Sequence, residues 1–163
     1  MGGIMVEKDV VQALQHYRHD LMNDLQIVQG YLSMGKADKA EAKVKEWMEY
    51  FNEERKLMSL KAPSFILWVI QFNSRYENFR LSYTIHTENK DLQKIDEKLV
   101  EQCNHIMEDF INTSNDQELY NLKLKLSLTE NPSKINVRIC LDHEKENINS
   151  GNMDENIEIM LIG

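Results

Sequence analysis

Between residues 9 and 34 the apolar side chains recur on a seven-residue repeat, at Val11, Leu14, Leu21, Leu25, Val28 and Leu32. Alternating steps of three and four draw these positions into one stripe along a helix, and a stripe of that kind needs another helix against it. Arg18 takes the one core-type position in the row that is not apolar. Asp9 with Gln12 three residues later predicts the start of the helix, and Gly35 its stop. A second helix is expected from near Asp38, with Glu41 three residues on. Its stripe runs Ala40, Val44, Trp47, Phe51 and Met58, and it ends before Ala62-Pro63. So short a link forces the two helices to fold back antiparallel as a hairpin.

Two such helices, each roughly 36 Å long at about 1.5 Å per residue, cannot shield both stripes with one partner apiece. Two copies of the hairpin would close a four-helix bundle, which makes a homodimer the expected assembly. The alternative is that the C-terminal segment of the same chain covers the stripes. The expected domains are a helical hairpin over residues 1–62 and an α+β sandwich over residues 63–163.

Beyond Pro63 the pattern becomes mixed. Residues 64–79 read as a helix, with Phe65, Ile66, Leu67, Trp68, Val69, Ile70 and Phe72. Residues 80–87 alternate as a strand with Leu81, Tyr83 and Ile85 on one face. Residues 96–113 form a further helix carrying Leu99, Val100, Cys103, Ile106, Met107, Phe110 and Ile111. Strands follow at 119–129 and 135–141 around the Asn131-Pro132 turn, and a last one at 157–162. Leu122, Leu124, Leu126 and Leu128 alternate strictly in the first of these. Helices followed by a largely antiparallel sheet define an α+β class.

Composition removes several functions. The net charge of −8 and the absence of a Lys/Arg-rich segment argue against nucleic acid, whose backbone needs a basic footprint. No window approaches the roughly 18 consecutive apolar residues of a membrane span. No basic segment precedes an apolar core at the N-terminus, and Val6 breaks the myristoylation pattern that Met1-Gly2-Gly3 suggests. The cytoplasm is the expected compartment. Cys103 and Cys140 are far apart and are expected as reduced thiols. His16, His19, His86, His105 and His143 do not cluster as metal ligands, so no metal and no cofactor is expected in the chain.

The run Arg18-His19-Asp20-Leu21-Met22-Asn23 carries the candidate chemistry. His19 and Asn23 are four residues apart and share a helix face. His19 falls beside the apolar row, so its ring is held by a rigid helix with one nitrogen open to solvent. A neutral imidazole nitrogen is a good nucleophile toward phosphorus. Asp20 is placed to bond the other ring nitrogen, Asn23 to position the ring or a partner's phosphoryl oxygens, and Arg18 to offset transferred charge or to pair inside the bundle. On spacing alone, a histidine beside an acid on a surface helix is more often just solvated, as His16 illustrates.

The sequence Arg18-His19-Asp20-x-x-Asn23-x-Leu25-Gln26, followed by Gly30, Leu32 and a short break into a second helix, resembles the phosphoacceptor hairpin of the sporulation initiation phosphotransferase B family. It resembles more distantly the sensor-kinase helices whose motif reads His-Asp/Glu-x-x-Asn. The similarity extends through Leu60-Lys61-Ala62-Pro63 and, more loosely, along the α+β half. By this resemblance His19 is the phosphorylated residue. It takes a phosphoryl group from the aspartate of a single-domain response regulator and passes it to a DNA-binding regulator that starts sporulation. The magnesium for that transfer is expected on the regulator; by helix geometry, the docking face around His19 would include Gln15, Met22 and Gln26, with part of the C-terminal domain.

A sensor kinase would also carry an α+β sandwich, but its nucleotide site needs glycine-rich turns and a magnesium-holding Asn. This chain has no glycine between Gly35 and Gly151, and residues 104–112 lack the Asn-x-x-x-Asn-Ala pattern. Where an Asp-x-Gly-x-Gly loop belongs stands Asp142-His143-Glu144-Lys145-Glu146, whose Glu144 and Glu146 would repel phosphates. The sandwich therefore resembles a kinase ATPase domain that has lost its nucleotide site. The competing expectations are a degenerate ATP-dependent kinase and a non-catalytic dimerisation or adaptor module.

Overall fold

A computed structural model describes residues 3–142 and 153–161. Glu144 and Glu146, on which the expectation of a phosphate-repelling loop rests, lie outside the described residues. The chain forms two compact units, Met1–Glu54 and Arg55–Gly163.

The first unit is a helical hairpin. Helix α1 spans Gly3–Ser33 and helix α2 Ala37–Met58, the last turn of which belongs to the second unit. The link is closed by Gly35 at φ 70°, a left-handed conformation that a side chain would oppose. The Lys36 amide donates to the Tyr31 carbonyl at 2.8 Å and the Gly35 amide to Leu32 at 3.1 Å. This paired pattern satisfies carbonyls that the helix end leaves open. Ala13 on α1 and Ala40 on α2 are buried. The Tyr17 hydroxyl donates to Glu54 at 3.0 Å, and Lys43 pairs with Asp24 at 3.9 Å, so both contacts join the two helices.

The face α1 turns to α2 is not the whole of the expected heptad. Leu21 and Val28 are half-buried, yet Val11, Leu14, Leu25 and Leu32 are exposed within the single chain, Leu14 by 62%. The same holds on α2, where Val44, Phe51 and Met58 are exposed while Ala40 is buried. Each helix therefore carries apolar residues on a second face besides the one that meets its partner helix.

The second unit begins earlier than the expected division at residue 62, because Leu57, Leu60 and Ala62 are buried in its core. Helix α3 (Pro63–Arg75), strand β1 (Phe79–Ile85), a short 3-10 turn (Gln93–Ile95), helix α4 (Asp96–Thr113), and strands β2 (Tyr120–Leu128), β3 (Lys134–Leu141) and β4 (Asp154–Met160) follow in order. The sheet order is β1-β2-β3-β4. Strands β2, β3 and β4 pair antiparallel, whereas β1 and β2 run parallel with Leu81 opposite Leu122. The parallel pair follows from connectivity: α4 intervenes, and a helical crossover returns the chain in the same direction.

Two local expectations shift. Residues 76–79 leave the helix rather than ending it: Tyr76 adopts φ −115°, and Phe79 enters β1 opposite Tyr120. Leu128 shares the face of Leu122, Leu124 and Leu126 but is 53% exposed, because β2 runs past the edge of the core. Helix α3 starts at Ala62-Pro63, where no local side chain caps it. The buried carboxylate of Asp96 does so instead, accepting from the amides of Ser64 at 2.9 Å and Phe65 at 2.8 Å.

Candidate functional site

The backbone of α1 is regular through residues 3–33, so the neighbours of His19 are fixed by helical geometry. Its side chain is 72% exposed. The Asn23 carboxamide nitrogen lies 3.4 Å from His19 Nδ1, and an Asp20 carboxylate oxygen lies 3.7 Å from the same atom. Two of the expected site residues thus converge on Nδ1. Both contacts are to Nδ1 and neither is to Nε2.

The arrangement bears on which nitrogen is nucleophilic. With its amide nitrogen toward the ring, Asn23 donates to Nδ1 and favours the tautomer protonated at Nε2. Turning the carboxamide over presents its oxygen, which accepts from Nδ1–H and leaves the Nε2 lone pair free. Asp20 favours that second state, since a carboxylate near Nδ1 attracts the proton there.

Arg18 is exposed and lies along α1 in the row with Leu14 and Leu25. The structure does not bring it to His19 through a hydrogen bond or ion pair. Gln15, Met22 and Gln26, expected on the docking face, are all exposed. Tyr17 faces the opposite way, into the hairpin. Burial and the adjacent Glu54 push its hydroxyl up to about 12. Burial also raises Glu54 above the ordinary carboxyl value, against the hydrogen bonds from Tyr17 and Tyr50 that act to lower it. This anchor behind the site went unread in the sequence. Its one signal is that Ala13 and Tyr17 are a turn apart, off the row of larger apolar residues.

In the second unit, the helix that would carry a kinase's magnesium ligand has a different use for its asparagine. Asn104 accepts from the Trp68 indole at 2.8 Å and from the Tyr76 hydroxyl at 3.4 Å. Trp68 and Tyr76 in turn pack with Phe72. The carboxamide is part of the contact between α3 and α4. Among the described residues, no group of three His, Cys, Asp or Glu side chains is placed to hold a metal ion, and no helix is long and apolar enough to cross a membrane.

Comparison with known proteins bears on the hairpin most directly. Sporulation initiation phosphotransferase B of Bacillus subtilis (strain 168) is 35% identical over 91 residues, covering 56% of this chain and 47% of that protein. The chain thus spans about half the length of the curated relative it matches. Residues 3–60, which contain His19, Asp20 and Asn23, match the family model described as the sensor kinase SpoOB-type, alpha-helical domain. The likeness to that family model is thus confined to the helical segment.

Proposed function

We propose that the chain is a histidine phosphotransferase of a sporulation phosphorelay, with His19 as the phosphoryl carrier. The observation that carries this reading is an exposed imidazole whose Nδ1 is flanked by Asp20 and Asn23, within the segment that matches the family model. The named activity of the relative supports it.

The Nε2 lone pair attacks the phosphorus of an aspartyl phosphate on a single-domain response regulator. As the N–P bond forms, the P–O bond to the aspartate breaks, and its electron pair leaves with the carboxylate. The proton on Nδ1 stays in place, and Asp20 opposes the positive charge that develops on the ring. Transfer to the aspartate of a second, DNA-binding regulator reverses these steps. Both phosphoryl bonds are high in transfer potential, so the protein's contribution is to align the reacting atoms. Magnesium belongs to the regulator's carboxylates in this scheme.

A second copy of the chain covers the exposed rows of α1 and α2 and completes a four-helix bundle. His19, beside the row, stays accessible. In the C-terminal unit, the engagement of Asn104 by Trp68 and Tyr76 supports a carrier that draws on phosphoaspartate rather than ATP. A relay between soluble regulators places the protein in the cytoplasm.

The test is a transfer assay with a phosphorylated single-domain regulator. The parent protein is expected to take up label and to pass it to a second regulator, whereas His19→Ala does neither yet still binds. Equal labelling of the alanine variant overturns the site. Labelling of the parent by ATP and magnesium alone overturns the carrier reading.

A further inference from the structure

Helices of the second unit cover one face of its sheet, which buries Phe79, Leu122, Leu124, Ile135, Val137 and Ile139. Strand alternation sends the intervening side chains to the opposite face. Five of these are cationic: Arg80 on β1, Lys123 and Lys125 on β2, and Lys134 and Arg138 on β3. Two carboxylates of β4 answer them. Asp154 takes Arg138 in a two-point contact at 2.9 and 2.6 Å, and Glu158 pairs with Lys134 at 3.6 Å.

Arg80 donates to the carbonyls of Glu77 and Phe79, contacts that hold the side chain without neutralising it. Lys123 and Lys125 have no carboxylate partner among the described residues. Lys125 also stands directly opposite Arg138 in the β2–β3 register, an arrangement of like charges that costs stability. Among the described residues, a chain of net charge −8 thus places Lys123 and Lys125 on one sheet face without a carboxylate partner.

We propose that this open face, centred on Lys123 and Lys125, docks an acidic segment of a protein partner. Charge complementarity is the argument, and the rest of the face selects among anions. Between the cations lie Ser82, Thr84, Asn121, Ser127 and Asn136, none of which stacks on a nucleobase or enters a lipid surface. A long polyanion such as DNA, or a charged membrane, also meets the negative remainder of the molecule. A short acidic segment responds only to charges within about 8 Å at physiological salt. Its carboxylates would pair with Lys123 and Lys125. This surface is argued independently of the His19 chemistry.

Titration of the isotope-labelled full chain with a glutamate oligopeptide tests the proposal by amide chemical shifts. Shifts are expected on β2 and β3, with affinity falling roughly fivefold or more between about 50 and 200 mM salt. The double variant Lys123→Glu/Lys125→Glu should lose about tenfold or more in affinity with its unfolding midpoint little changed, as surface substitutions usually allow. The absence of shifts, shifts confined to other elements, or unchanged affinity of the double variant overturns it. So does tighter binding of duplex DNA or phosphatidylserine vesicles to the same face.

Discussion

In the proposed transfer, the reactivity of His19 depends on what its neighbours do at Nδ1. Asn23 and Asp20 both lie near Nδ1, and with the Asn23 carboxamide turned to present its oxygen both would hold a proton there and leave Nε2 as the nucleophile. Removing Asn23 is therefore expected to slow transfer without abolishing it. Asn23→Ala should lower the transfer rate roughly tenfold, about 1.4 kcal/mol in the barrier, while regulator binding is kept. Nitrogen NMR of the ring supplies a second readout, since the population protonated at Nδ1 should change with it. A variant with parental rate and parental tautomer balance would mean that Asn23 merely lies along the helix. These residues were legible in the sequence because helical spacing alone brings positions four apart together. Asn104 was legible only as a residue that breaks a kinase pattern. Its engagement by Trp68 and Tyr76 depends on packing between helices some thirty residues apart, which no local spacing reports.

The elements themselves are anchored by contacts of the same long-range kind. Helix α3 starts with Pro63, whose fixed backbone suits a first turn, but its free amides are bonded by Asp96 from the start of α4. Asp96→Ala leaves two helix amides without that acceptor in a buried place, so a loss of about 1–3 kcal/mol is expected. Asp96→Asn should lose less, because one acceptor oxygen survives. Urea midpoints of the two variants check the order. In the hairpin, Glu54 ties α2 to Tyr17, and its carboxyl is raised from the usual 4.5 by burial. A raised carboxyl binds its proton more tightly when folded than when unfolded. The protein thus loses stability as pH rises from about 4.5 through the folded value, and changes no further above it. Compared with Glu54→Gln, the parent is expected to be relatively more stable near the bottom of that window than near neutrality. A stability difference independent of pH would show that Glu54 titrates as an ordinary carboxyl. Periodicity gave α4 its limits because its apolar stripe is wide and uninterrupted. It did not reveal that β1 and β2 are parallel, since alternation within a strand is blind to the direction of its neighbour.

The hairpin leaves the molecule with a surface that a lone chain does not satisfy. Leu14, Leu25 and Leu32 are 62%, 46% and 58% exposed along α1, and Val44 and Phe51 are exposed on α2. The heptad was readable because it is regular, but the sequence could not say which apolar row met α2 and which was left over. In the structure Ala13 and Ala40 are buried, while Leu14 and Val44 are exposed. If a second copy covers the leftover rows, each half-exposed leucine contributes on the order of 1 kcal/mol to pairing. The double variant Leu14→Lys/Leu25→Lys removes those contributions from both copies and sets charges into an apolar seam. It is expected to weaken pairing by roughly a hundredfold or more. Sedimentation should show the parent at twice the mass of one chain and the variant at the mass of one chain over the same concentrations. The core of the second unit contains neither residue, so its cooperative unfolding should persist in the variant. Parental mass in the variant would mean that this face is covered in some other way. In that case the bundle around His19 would have to be built without it.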